Sequence, residues 1–61
     1  MERYEWSKAA RRKIREEWTS FDAFAANIHY SAGYVNNVLA GYKSKTAEEI
    51  ISERLGLELP E

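Results

Sequence analysis

Apolar side chains recur every four positions from Trp6 through Ala10 and Ile14 to Trp18. That period keeps them on one side of an α-helix. The pattern predicts a first helix from Arg3 or Ser7 to Glu17, with Arg11, Arg12, Lys13 and Arg15 largely facing elsewhere. Thr19 and Ser20 interrupt it. Phe21, Phe24, Ala25 and Ile28 then follow at spacings of three, one and three, an amphipathic face for a second helix from Phe21 to about Ile28. Ser20 is suited to cap it, and Asp22 in the first turn suits the helix dipole. His29 and Tyr30 form the next break. Ser31 is placed to cap a third helix from Ala32 to Ala40, whose apolar side is Val35, Val38 and Leu39. Gly41 ends it, and Tyr42 to Lys45 reads as a loop. Thr46 with Glu49 three residues later reads as a capping box opening a fourth helix, with Ile50, Ile51 and Leu55 as its core face. Gly56 stops that helix, and Leu57, Leu59 and Pro60 form a short extended tail. The expectation is one all-α, four-helix domain over residues 1–61, with its core between about residues 6 and 57 and a tail at 57–61.

Size sharpens this reading. Sixty-one residues bury only about 60% of the surface that the unfolded chain exposes, so stability is marginal. With no cysteine and one histidine, no disulfide or metal site is available to staple the fold. Two Trp, four Tyr and two Phe are therefore expected to carry the core, with Trp6, Trp18, Phe21 and Phe24 inside it. No cofactor is expected. A nucleophile–base pair would need a hydroxyl beside His29, and Ser31 is near only in sequence, so an enzyme is not expected. The N-terminus lacks the apolar stretch of a signal peptide, and no segment approaches the roughly 20 apolar residues of a membrane span. The chain is expected to be cytoplasmic, with no membrane partner.

Net charge is −1, but its distribution is uneven. Residues 1–45 hold eight Lys/Arg and five Asp/Glu, a net of +3, while residues 46–61 hold Arg54 against five Glu, a net of −4. A basic front with an acidic tail suits a protein that turns one face to phosphate. It also suits two solvated helix faces.

The most informative stretch is residues 21–40. Two short helices joined by a three-residue turn cross steeply and need a small residue where they touch. Counting Phe21 as first, Ala25 is fifth, at the close approach. Phe24, Ile28, Tyr30, Val35 and Val38 are fourth, eighth, tenth, fifteenth and eighteenth, where a helix-turn-helix wants bulk. The run FDAFAANIHYSAGYVNNVLAGYKSKTAEEIISERLG resembles the lambda-repressor-like (Cro/repressor-type) helix-turn-helix family. It is most similar there to the small Ner-like phage regulators. A Trp before the first helix (Trp6), Ile14 seven positions before Phe21, Tyr30 closing the turn and the Ile50–Ile51–Leu55 pattern carry that likeness over about residues 6–57. Two positions depart from it. The ninth, usually Gly with positive φ, is His29. The nineteenth, usually acidic and paired with an Arg of the first helix (here Arg15), is Leu39.

The resemblance implies a transcriptional regulator that binds double-stranded DNA, with the third helix in the major groove and a repressor's steric mechanism. Carried over by position, Ser31, Ala32, Gly33, Asn36 and Asn37 face bases, Asn37 being the first choice for a bidentate pair with adenine. Phosphate contacts fall to Thr19, Ser20, the free amides at Phe21, Tyr34, Lys43 and Lys45. A palindromic operator takes two copies, paired through the fourth helix and the Leu57–Glu61 tail or on DNA only. The competing expectation is a protein-interaction module, such as an anti-repressor or co-regulator docking on a partner repressor. The absence of Lys and Arg from Ala32–Ala40 and the apolar Ala32–Gly33–Tyr34 surface favour it. A mini-domain without a ligand is the third.

Overall fold

The computed structural model describes residues 1–61 and contains four α-helices and no strand: α1 (Arg3–Glu17), α2 (Phe21–Asn27), α3 (Ala32–Ala40) and α4 (Lys45–Leu55). Each boundary has a local cause. The Glu2 carboxylate accepts the Glu5 amide at 3.1 Å and opens α1, which therefore starts at the earlier of the two predicted positions. Trp6 consequently lies inside the helix rather than before it. Ser20 accepts the Ala23 amide at 3.0 Å to cap α2, and Ser31 accepts the Tyr34 amide at 3.1 Å to cap α3. Helix α2 ends at Asn27 with Ile28 as its C-cap. Gly56 is left-handed at φ 71°, and beyond it the Leu57 amide donates back to the Ser52 carbonyl at 2.8 Å.

The fourth helix departs from the sequence expectation. Its N-cap is Ser44, so Thr46 and Lys45 are already helical, and the Thr46–Glu49 capping box does not form. The Ser44 hydroxyl makes no cap bond and instead accepts from the Tyr34 hydroxyl at 2.9 Å. The return half of the cap comes from Glu48, whose carboxylate accepts the Ser44 amide at 3.3 Å. The inward face also differs in one residue. Ala47, Ile51 and Leu55 are buried, whereas Ile50, expected in the core, lies at the surface.

One core joins all four helices. Trp6, Ala10 and Ile14 of α1 meet Phe24 and Ala25 of α2, Val35, Val38 and Leu39 of α3, and the α4 residues just named. Trp18 and Phe21, expected as core, are only partly buried and pack against it. Trp18 still seals one end, edge-on to Phe24 with ring centroids 5.3 Å apart. Ala25 is buried where α2 meets α3, and its carbonyl accepts the Tyr30 amide at 2.9 Å, which closes the turn. His29 in that turn has φ 65°, the positive value anticipated for its position.

Polar bonds orient α1 between its partners. Trp6 Nε1 donates to Ser52 Oγ at 2.8 Å, and Arg3 Nη2 to Glu48 Oε2 at 2.6 Å, so α1 and α4 advance together along this seam. On another side Ser7 Oγ donates to the Leu39 carbonyl at 2.5 Å, and Arg11 Nη2 to Asn36 Oδ1 at 3.0 Å. Rising numbers on α1 meet falling numbers on α3, so these two helices run in opposing senses. The tail forms no regular strand and is bonded to the N-terminus. Met1 donates its amino group to the Leu59 carbonyl at 3.1 Å, and the Glu61 amide donates to the Met1 carbonyl at 2.8 Å. No helix is long and apolar enough to cross a membrane.

Candidate functional site

Helix α3 turns Val35, Val38 and Leu39 inward, which leaves Gly33, Asn36, Asn37 and Ala40 on its exposed side. Their spacing of three, one and three is that of a single helical face. The face carries no charge of its own. Its polar groups are the two Asn amides, each with a carbonyl oxygen that accepts and an NH₂ that donates. A Cβ added at Gly33 would meet nothing within 4 Å, so the fold does not require glycine there. The residue instead leaves the helix backbone bare at the start of this face.

The other positions expected to face bases divide. Ser31 is exposed, but its oxygen is occupied as the α3 cap. Ala32 is only partly accessible, because it packs against the core. Tyr34, expected at phosphate, belongs to the scaffold. Its ring sits between Tyr30 (centroids 5.0 Å apart) and Tyr42 (6.1 Å), and its hydroxyl is donated to Ser44. The apolar Ala32–Gly33–Tyr34 surface is therefore much reduced, since two of its three residues are turned into packing.

The expected phosphate contacts also separate. Thr19 and Ser20 are exposed, and Phe21 is partly buried. They line a shallow groove together with Arg11, Arg15 and Trp18. Ser20 already satisfies the Ala23 amide, and Asp22 adds a negative charge in the first turn. Arg11 and Arg15 supply the positive charge on the other wall of the groove. Lys43 lies in the loop before α4, but Lys45 is the first residue of α4 rather than a loop residue. Both are exposed, beside Arg3, Glu48 and Glu61. Carboxylates are thus interleaved with these cations, and the local positive field is weaker than the sequence count suggests.

What the sequence did not reveal is the part that α1 plays. Lys8, Arg11, Arg12 and Arg15 lie exposed together on the outer side of this helix, with Glu5 as the one carboxylate among them. Along α1 the one ion pair within the helix is Lys13 with Glu17 at 3.7 Å, and the arginines of the cluster are otherwise solvated. Arg15 has no acidic partner on α3, where buried Leu39 occupies the position in question. Arg11 reaches across to Asn36 and so joins the basic side of α1 to the polar face of α3. The arginine cluster was visible as composition. Which arginine meets α3 depends on how the helices cross, and helical period does not encode that.

The arrangement is thus an uncharged, amide-bearing helix face flanked on the α1 side by guanidinium groups, with hydroxyls at the start of α2 on the far side of the groove. Compared with family models, curated proteins and solved structures, the chain matches none of them.

Proposed function

We propose that this domain is a sequence-specific, double-stranded DNA-binding regulator of the lambda-repressor-like helix-turn-helix type, with α2 and α3 as the motif and α3 as the major-groove reader. The observation that carries the reading is the exposed face Gly33–Asn36–Asn37, free of carboxylates and tied by Arg11 to a basic α1. A helix entering the major groove must present hydrogen-bonding groups to base edges while phosphates on either side meet positive charge. The amides of Asn36 and Asn37 meet the first need. Arg11, Arg12 and Arg15, with Thr19 and Ser20 across the groove, meet the second. Lys43 and Lys45 are secondary phosphate contacts in this reading, because Glu48 and Glu61 lie among them.

Regulation would be steric, by occupying an operator that overlaps a promoter, as the likeness to phage regulators suggests. One α3 reads a half-site, so a palindromic operator takes two copies. The Leu59 carbonyl and the Glu61 amide are already bonded to Met1. Pairing on DNA therefore fits better than strand-like pairing of two tails.

The test is selection of bound duplexes from a random pool at about 50 mM salt, followed by titration of the winner across salt concentrations. A consensus half-site is expected. Asn37→Ala should relax it at one position, by roughly the 1–3 kcal/mol of a lost bidentate contact. Arg15→Ala should reduce the salt slope by about 0.9 with the consensus unchanged. If no sequence is enriched and binding hardly responds to salt, the DNA reading is wrong and docking on a partner protein replaces it.

A further inference from the structure

Building on the DNA-binding reading, we propose that Arg11 is a specificity-determining residue of α1. It fixes the Asn36 amide as a hydrogen-bond donor, so that this position of the site selects guanine rather than adenine. The argument begins with donor chemistry. A guanidinium has five N–H donors and no acceptor. Whatever Arg11 Nη2 meets on Asn36 at 3.0 Å must be the amide oxygen, so the two ends of the amide are told apart by their partner. With Oδ1 turned to α1, Nδ2 and its two hydrogens point away from α1.

An unrestrained asparagine pairs with adenine by using both ends, its oxygen accepting from N6 and its nitrogen donating to N7. Here the accepting end is engaged and turned aside. What remains for a base edge is the Nδ2 donor pair of Asn36, beside the N–H groups of Arg11 not used in the contact. Guanine presents two acceptors in the major groove, O6 and N7, and no donor there. A surface of donors alone fits guanine and leaves the adenine N6 donor without a partner. Asn37 stands one residue on, with no such clamp on its amide, and retains the ordinary preference for adenine. Two adjacent asparagines thus read different bases because one of them is held from a neighbouring helix.

Both Arg11 and Asn36 are exposed and neither contributes to the core, so single substitutions leave a folded domain to test. Duplex selection would be run in parallel on the unaltered chain, Arg11→Ala, Asn36→Ala and the double variant, with far-UV circular dichroism confirming the fold of each. The unaltered chain should favour guanine over adenine roughly five- to hundred-fold at one position of the half-site, and Asn36→Ala should flatten that position. Arg11→Ala should move the same position toward adenine, leave the others as they were and lower affinity overall. In the double variant, removal of Arg11 should change the base preference no further than Asn36→Ala alone. If Arg11→Ala weakens binding uniformly while guanine stays favoured, Arg11 holds a phosphate only and the proposal fails. Adenine at that position in the unaltered chain overturns it equally. An unaltered chain that enriches no sequence overturns the DNA-binding reading itself, an outcome distinct from the other two.

Discussion

Between α1 and α4, polar side chains are paired with one another, one pair buried and one partly buried. Trp6 gives its indole hydrogen to Ser52, which is 2% exposed, and Arg3 meets Glu48, which is 8% exposed. On the outer face of α3, polar side chains stand in solvent, and Arg11 with Asn36 is the one side-chain bond that crosses to it. Buried pairs of the first kind resist separation, because breaking one leaves a desolvated group without a partner. Exposed groups of the second kind cost little when removed, because water replaces the partner. The seam therefore adds to the stability of the shared core, while the other face can vary in sequence at little cost to the fold.

The comparison is broken most severely at Trp6. Trp6→Ala removes the largest fully buried side chain and orphans Ser52, for a loss of about 3–5 kcal/mol. A chain of this length has roughly 3–9 kcal/mol of stability in all. Urea denaturation followed by circular dichroism should find the midpoint sharply lowered or the folded baseline lost. A cooperative transition near that of the unaltered chain would mean that α1 is not anchored through this residue.

Glu48→Gln is the next in size. The amide can still accept from Ser44, but the charge facing Arg3 is gone. Fully buried pairs cost about 3–5 kcal/mol when broken. The Arg3 side chain keeps 26% of its exposure, so about 1–3 kcal/mol is expected here. A double-mutant cycle with Arg3→Gln should recover most of that loss, since removing both partners leaves no uncompensated charge. Additive effects would show that the two residues act independently.

The same division explains what could be read in the sequence. Helix existence, the caps at Ser20 and Ser31, and most of the inward faces of α1, α2 and α3 follow from local periodicity and local hydrogen bonds and emerge as expected, with Trp18 and Phe21 only partly buried at the ends of theirs. The start of α4 does not, because it is set from a distance. Tyr34 takes the Ser44 hydroxyl, Glu48 answers both Ser44 and Arg3, and these partners are 10 and 45 residues apart in sequence. The site divides in the same way. Gly33, Asn36 and Asn37 share an exposed face by helical geometry alone, whereas Arg11 becomes their neighbour only through the crossing of α1 and α3. Of the two places Tyr34 can take by position, at a phosphate or partly packed, the structure has the second, set by two neighbouring tyrosines and a serine 10 residues on.

Caps test whether the exposed side has a stability requirement of its own. Ser31→Ala removes the acceptor of the Tyr34 amide and should cost about 1 kcal/mol. The loss falls at the first turn of α3. It should therefore weaken DNA binding along with folding, whereas Ser52→Ala, a buried and uncharged change on the α1–α4 seam, should leave the affinity of the folded fraction unchanged. Equal binding by both variants, once corrected for the folded fraction, would show that the start of α3 does not touch DNA.

The smallest effect is expected at the turn between α2 and α3. His29 holds φ at 65°, a conformation that costs an L-residue roughly 1–2 kcal/mol through contact of its Cβ with the backbone. His29→Gly relieves that contact but gives the unfolded chain more freedom, worth about 0.4–1 kcal/mol in the opposite direction. The His29 side chain makes no hydrogen bond that would be lost, while its backbone amide, bonded to the Ala26 carbonyl at 3.0 Å, is retained. The balance is a gain of a few tenths to about 1 kcal/mol, visible as a higher urea midpoint with unchanged slope. Because the turn keeps its geometry, the half-site selected by the variant should match that of the unaltered chain. A lower midpoint would mean that the imidazole contributes more than the strain removes. A raised midpoint with an altered half-site would mean that strain in this turn helps set the pose of α3, and the stability of the fold could not then be separated from the chemistry of its exposed face.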